Sequence, residues 1–408
     1  MLAIAFACLL FAFSVPLIAL PFLFGPVMEE FGWTREQVTL IASTKFATGA
    51  VFSIIVGRFI EVIGVRRTLI FVSIAVALAL ILLQWTPNLT VYYLSGTLLG
   101  IGAPGTIVAV KVLVSRSFHA SQGTAMGVVM LGTSVGSVIV PIVITALIAA
   151  IGWRLAIASL SLGIWCVALP LLIFCCSDKS FEISRAGEDS KSSQSDNIAW
   201  SALAGLMRTR DFWLIALAVM MAGFVDQAFM QHQVLYLTID LGMTPIRVAG
   251  IVSAIGAVGI VGRIVVGNIF DKTSAKGMSL MYLVLAVACL CSLALLNPYF
   301  LAAFIVLRAV GHAAVLLDTT VLTKHRFGLA NIGILLGIYT AMVNIGFALG
   351  PWVVSRMYEV TGSYTTPFLL CAAVAVMAAA ILVPVKPTYW MDMRERFRIG
   401  EDAVPAKS

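Results

Sequence analysis

Apolar residues in this chain come in blocks of about twenty, the length a helix needs to cross the hydrocarbon core of a bilayer. Twelve such blocks can be read, near residues 3–24, 37–57, 68–86, 90–115, 123–149, 153–175, 212–238, 247–269, 278–296, 299–323, 331–354 and 366–385. Hydrophobic residues make up 61% of the 408 and charged residues only 11%, where a soluble chain carries about 25% charged. Inside hydrocarbon each backbone polar group must be satisfied within its own segment or a closed barrel, so blocks of this length fold as helices. The reading is an all-α polytopic membrane protein.

A second feature narrows the fold further. The charged, glycine-punctuated stretch Gly57-Arg58-Phe59-Ile60-Glu61-Val62-Ile63-Gly64-Val65-Arg66-Arg67, read as a short turn between apolar runs, returns at Gly267-Asn268-Ile269-Phe270-Asp271-Lys272-Thr273-Ser274-Ala275-Lys276. The shift is 210 residues, and it places Glu61 on Asp271 and Arg66 on Lys276. The same shift carries Glu30, Gly32 and Thr34 onto Asp240, Gly242 and Thr244. It carries Arg116, Ala120, Gly123 and Gly127 onto Arg326, Ala330, Gly333 and Gly337, and Gly136, Pro141 and Gly152 onto Gly346, Pro351 and Gly362. One ungapped register over this length marks a duplicated half. It predicts two pseudo-symmetric six-helix bundles, residues 1–175 and 211–385. A linker over 176–210, rich in Ser, Asp, Lys, Glu and Gln, joins them. A basic tail over 386–408 is expected to touch anionic lipid. Membrane units repeated in this way build carriers with a site between the halves.

The net charge of +7 is accounted for by topology. With both termini cytoplasmic, eighteen Lys and Arg between spans fall on the inner side, whereas only Arg35, Arg154, Arg247 and Arg356 fall outside. That asymmetry fixes the orientation by the positive-inside rule, and nucleic acid is not a partner the sequence calls for. The opening apolar run lacks a positive leader and continues through Phe24, so it reads as the first span rather than a cleaved signal. The seven cysteines lie in or at the ends of spans with no metal-site spacing, so neither disulfides nor a metal is expected.

Six charges are left inside the spans: Lys45, Lys111, Arg263, Arg308, Asp226 and Asp318. At helix centres they would cost about 15–20 kcal/mol together, above a typical domain stability of roughly 5–15 kcal/mol. They must pair or face water. Four cations against two acids leave surplus positive charge, which suits an anionic cargo, and arginine's planar fork matches a carboxylate. Arg263, Arg308, His232, Asn344 and Lys45 are the candidate substrate contacts; Asp226, Asp318 and His312 are the candidate proton carriers. Arg308 and His312, one turn apart, share a helix face. The residues alone leave several roles open: Asp226 is a proton carrier or a plain pairing partner, His232 and His312 are proton relays or packing residues, and Lys111 snorkels to the inner side or faces a cavity. Lys45 either snorkels outward or faces a cavity, Arg263 either binds cargo or holds the inner end of its helix, and Arg308 either binds cargo or pairs with an aspartate. The sequence carries no Gly-x-x-x-x-Gly-Lys-Ser/Thr loop, no catalytic triad and no dinucleotide fingerprint, so neither ATP drive, nor a cofactor, nor enzyme chemistry is expected.

The 57–67 stretch and its echo resemble the signature between the second and third spans of the major facilitator superfamily. That resemblance implies twelve helices, alternating access, and a cavity lined by spans 1, 4, 7 and 10. It implies an inner-face latch at Gly57, Glu61, Arg66 and Arg67, with Gly267, Asp271 and Lys276 in the second half; Glu61 replaces the commoner aspartate. More narrowly, Glu30-Phe31-Gly32-Trp33-Thr34-Arg35, Gly152-Trp153-Arg154, Gly262-Arg263 and Thr361-Gly362-Ser363-Tyr364 resemble bacterial members of the monocarboxylate and oxalate–formate group. There Arg263 would bind the substrate carboxylate. The sequence departs at Gly259, where proton-coupled carriers have an aspartate, and at Val343, near where oxalate exchangers have a lysine.

The expected function is therefore secondary transport of a small organic anion, a mono- or dicarboxylate, across the cell membrane by a monomeric carrier, with proton coupling open. Two rivals stand beside it. One is a polyspecific drug–proton exporter using Asp226, Phe224 and Phe229 for lipophilic cations, and the other is a non-transporting sensor with the same fold.

Overall fold

The computed structural model describes residues 1–117, 122–175, 205–327 and 332–385. Among these residues the chain is helical, with short turns. Ten stretches are long and apolar enough to cross a membrane. One of them, Ala125–Phe174, holds two crossings, because its first helix turns back at Gly152 (φ 76°, ψ 160°). With Arg35–Ile63, 29 residues long, the crossings number twelve. They are α1 (Leu2–Phe31), α2 (Arg35–Ile63), α3 (Val65–Gln84), α4 (Leu89–Ser117), α5 (122–151) and α6 (153–174). The second half repeats them as α7 (Arg210–Asp240), α8 (Pro245–Thr273), α9 (Ala275–Ala294), α10 (Pro298–Phe327), α11 (Ile332–Thr361) and α12 (Thr365–Leu382). Residues 176–204 of the expected linker and the whole of the expected tail, 386–408, lie outside the described residues.

The duplication is written in the backbone. Among the described residues, left-handed φ occurs at Gly32, Gly64, Gly152, Gly242, Ser274 and Gly362. These form three pairs, 32 with 242, 64 with 274 and 152 with 362, each separated by the 210-residue shift. Glycine reaches this region without steric cost. Ser274 (φ 52°) does not, and its hydroxyl lies 2.9 Å from His325 Nδ1. The structure corrects one expectation about the organising stretch. Residues 57–63 and 267–273 are not turn but the last turns of α2 and α8; each helix is broken at a single residue, Gly64 or Ser274. Charged residues at a membrane boundary can stay helical because water reaches their side chains, so only the position that needs left-handed φ ends the helix.

In α1 the helix carries a widened turn over Cys8–Ser14, just ahead of Pro16. A similar turn over Ile164–Ala168 precedes Pro170 in α6. Proline has no N–H to give and its ring crowds the carbonyl four residues back, and a wider turn relieves both.

Helices approach closely where glycine removes the side chain. A Cβ at Gly346 or Gly350 of α11 would run into the α7 backbone at Met220 and Phe224. At Gly132 and Gly136 of α5 it would run into Phe6 and Ser14 of α1, and at Gly96 and Gly100 of α4 into Ile41 and Lys45 of α2. The two halves meet through α2 against α11 and α5 against α8. Phe46 and Phe347 are 5.1 Å apart at the first seam, and Gly256 sits against the Ser137 backbone at the second. The side of the bundle reached by the ends of α6 and α7 is here the linker face. The opposite, far face carries the 32–34, 241–244 and 362–364 turns.

Candidate functional site

Arg263 lies in the linker-side half of α8, on the seam with α5. Its Nη1 donates to Ser134 Oγ at 2.9 Å and to Thr133 Oγ1 at 3.3 Å, both in the first half. Among the described residues no carboxylate pairs with it. The glycines of α5 explain the placement. Gly132 and Gly136 turn toward α1, so the hydroxyls between them face α8.

Arg308 is differently held. It is 2% exposed, and its Nη1 lies 2.7 Å from Asp226 Oδ1 on α7, while Nη2 donates to the Asp226 carbonyl at 2.9 Å. His312, one turn along α10, brings Nδ1 within 2.9 and 3.1 Å of the two Asp226 oxygens. A carboxylate only accepts, so Nδ1 carries the proton there. Gln227 Nε2 completes the shell at 3.4 Å. Asp226 thus holds the guanidinium at two points, one on its side chain and one on its main chain, and Arg308 Nε is buried without a partner among the described residues. Of the two aspartates open at the level of sequence, Asp226 is the one that takes Arg308.

Arg263, Arg308 and His312 line one cavity of about 40 Å³ between the halves, with Ser137, Gln233 and Gly259. A single water needs roughly 10–15 Å³ by the same measure, so this arrangement holds a few waters and not a cargo. The charges around it sum simply: Arg308 and Asp226 cancel, and Arg263 is the surplus. Two neutral hydroxyls do not neutralise it.

The other candidates stand elsewhere. Lys45 is 1% exposed in the middle of α2, with Nζ unpartnered among the described residues and 4.8 Å from the Phe46 ring. It neither snorkels to a face nor lines the cavity. Asn344 turns its amide to the Thr340 carbonyl of its own helix. Asp318 is buried between α9 and α10, accepting from the Tyr282 hydroxyl at 2.7 Å and from the Thr319 N–H. His232 is fully buried toward the far face. Its Nε2 is 2.9 Å from the Pro351 carbonyl and its Nδ1 is 2.9 Å from the Tyr364 hydroxyl. A carbonyl only accepts, so Nε2 carries the proton and Nδ1 accepts from Tyr364. In this arrangement His232 and Asn344 are turned to other partners and Lys45 is buried elsewhere, so the three do not gather with Arg263 and Arg308.

On the linker face Arg66 donates to the Leu172 and Ile173 carbonyls at 3.1 and 2.7 Å, closing the end of α6. Cations belong at a helix C-terminus, where carbonyls lack intrahelical partners. Gly57, Arg67, Asp271 and Lys276 are exposed, and Gly267 is half-buried. The side chain of Glu61 lies outside what is described.

The sequence alone did not single out Thr133, Ser134 and Ser137. They sit in a glycine-rich stripe, Gly132-Thr133-Ser134-Val135-Gly136-Ser137, that reads as packing surface. The available signal was their hydroxyls, spaced to alternate with the glycines.

Comparison with known proteins agrees with this geometry at the level of fold and family. The family model described as "Major Facilitator Superfamily" matches residues 2–317. The chain is 24% identical to the Probable sulfoacetate transporter SauU of Cupriavidus necator, over 90% of this chain and 89% of that protein. It is 24% identical to Monocarboxylate transporter 12 of Rattus norvegicus, over 74% of this chain and 68% of that protein. A crystal structure of a peptide transporter, POT, in complex with sulfate shares the fold, with a TM-score of 0.76 at 13% identity over 96% of this chain and 95% of that one. The chain belongs to the Major Facilitator Superfamily as a multi-pass membrane transport protein.

Proposed function

We propose that this protein is a secondary carrier of a small organic monoanion, a carboxylate in the first instance, that works by alternating access between its two halves. The observation that carries the reading is Arg263: a guanidinium at the seam of the halves, lining their shared cavity and held, among the described residues, by hydroxyls alone. A carboxylate that takes both N–H groups of this fork replaces contacts to neutral hydroxyls with an ion pair. The relatives are named for monocarboxylate and sulfoacetate transport, and both kinds of cargo are small anions that bear a carboxylate.

Proton coupling runs through His312 in this reading. Asp226 is 0% exposed behind it, whereas the His312 side chain is 24% exposed. A proton arriving from the cavity therefore reaches His312 first. Protonated, it adds positive charge beside the cargo, so anion and proton assist each other's binding. The drug-exporter reading is disfavoured by the same geometry, since Asp226 is already occupied by Arg308 and His312 and offers nothing to a cation. The linker face is cytoplasmic in this proposal, on the charge asymmetry of the loops.

The test is uptake of labelled short carboxylates into proteoliposomes. Arg263→Gln removes charged hydrogen bonds worth roughly 1.5–3 kcal/mol each. It should lower uptake at limiting substrate by at least tenfold while the protein stays monodisperse. His312→Gln should keep counterflow exchange but lose stimulation by an inward proton gradient. Carboxylate uptake that survives Arg263→Gln unchanged would remove the basis of the anion reading. A bound cargo at 100 times its Kd should also stabilise the wild type by about 2.7 kcal/mol in thermal unfolding.

A further inference from the structure

The far face carries a set of contacts whose form follows from a break in the internal symmetry. The 210-residue shift places Glu30 on Asp240 and Arg154 on Tyr364. In the first half the carboxylate is closed within its own half. Arg154 donates to Glu30 Oε1 through Nη2 at 2.7 Å and Nε at 3.0 Å, and Trp153 Nε1 donates to Glu30 Oε2 at 2.6 Å. In the second half the arginine's place is taken by a neutral tyrosine. Asp240 then accepts from the Tyr358 hydroxyl at 2.8 Å and takes its cation across the seam: Arg35 Nη1 lies 2.7 Å from Asp240 Oδ2.

The tyrosine does more than leave a gap. Its hydroxyl accepts from Arg35 Nη1 at 3.2 Å while donating to His232 Nδ1, and His232 in turn holds the Pro351 carbonyl of α11. The Arg35 guanidinium also lies over the Tyr358 ring, 4.0 Å from its centroid. Burial keeps the Tyr364 hydroxyl protonated well above the ordinary tyrosine range, so this donor persists at any physiological pH. Arg35 itself has no counterpart, because the shift places it on Pro245. Both halves of the contact are thus products of asymmetry: a cation that exists only in the first half, and an acid left without its own cation only in the second. Around it, Glu36 accepts from Trp352 Nε1 and Arg356 Nη1, each at 3.2 Å, on the solvent rim.

We infer that Arg35, Asp240 and Tyr364 form the latch that holds the far face shut, and that the replacement of an arginine by Tyr364 directs Asp240 to the opposite half instead of its own. The latch rests on alternating access but not on the anion reading. A charged hydrogen bond lost from one of two states shifts their ratio by about ten- to hundredfold. Tyr364→Arg restores to Asp240 the same-half partner that Glu30 has and releases Arg35, and Arg35→Gln and Asp240→Asn remove the pair directly.

The test measures distances between spin labels at Glu29→Cys and Thr366→Cys, exposed positions on the far face of the two halves. It uses full-length protein in nanodiscs, without cargo, in a background lacking the native cysteines. Wild type should give a short, dominant distance. All three variants should move population to a longer one, Tyr364→Arg included, although it adds a charge instead of deleting one. Tyr364→Phe, which keeps the ring and the Arg35–Asp240 pair, should give an intermediate shift. Distributions that match wild type in Tyr364→Arg and Asp240→Asn overturn the latch. A variant that fails to fold is replaced by Arg35→Lys, for which the loss of the fork should still lengthen the distance and an unchanged distance again overturns the inference. Because no substrate is present, failure here leaves the carboxylate reading standing, and failed uptake leaves the latch standing.

Discussion

At Asp226 one carboxylate, itself fully buried, serves a guanidinium, an imidazole and a neighbouring amide. Such a cluster is tolerated because every charge in it has a partner; removing one leaves another uncompensated. Asp226→Asn strands Arg308 in a site that is 2% exposed, and should destabilise the protein by about 3–5 kcal/mol. Thermal unfolding in detergent reads this out directly. The double variant Asp226→Asn, Arg308→Gln should lose clearly less than the sum of the two single variants, because groups in one network do not add. Full additivity would show that the pair is not a stabilising unit. Arg263 differs from Arg308 in this respect. With hydroxyls for partners it is the arginine whose replacement should cost transport more than stability.

Among the elements, α11 shows how glycine placement separates packing from open surface. At Gly346 a Cβ would meet the Met220 carbonyl and Phe224 N of α7, and backbone atoms cannot move aside as a side chain can. Gly337, on the same helix, has nothing within 4 Å. Gly346→Ala should therefore lower stability by about 1–3 kcal/mol. Gly337→Ala should leave it unchanged or raise it slightly through helix propensity. Melting temperatures of the two variants, compared in one detergent, decide the matter; equal shifts would mean that α7 and α11 do not approach as closely as described. The glycines of α5 play the same part against α1, and in doing so orient Thr133 and Ser134 to Arg263. A stripe that reads as packing thus also builds the site.

For the whole molecule, orientation is the simplest property to check. With the linker face cytoplasmic, a cysteine at exposed Ser363 should react with a membrane-impermeant thiol reagent in intact cells. One at exposed Thr273 should react only after permeabilisation, in a background where the exposed native Cys166 and Cys175 are replaced by serine. The reverse pattern would invert the topology and with it the direction assigned to the far-face latch. Contacts at Arg35 and Glu36 span the seam on the far face, and the cavity at Arg263 lies inward of them.

Twelve crossings and their doubling were legible in the sequence because both are written in local pattern. Apolar length is set by bilayer thickness, and the 210-residue register recurs in glycines that must adopt left-handed φ, as Gly32 and Gly242 or Gly152 and Gly362 do. The surplus of buried cation was legible for the same reason, since charge inside a span is a one-dimensional fact. Which cation is free was not. Arg263 and Arg308 look alike in sequence, and only the packing of α7 against α10 gives Arg308 to Asp226 while the seam of α5 and α8 leaves Arg263 with hydroxyls. His232, Asn344 and Lys45 were separated from the cavity by the rotation of their helices. Arg35 and Asp240, 205 residues apart, became partners only when the two halves closed on each other. Composition and periodicity act within a segment; pairing across segments depends on which faces the assembled helices turn to one another, and that is decided by the tertiary structure alone.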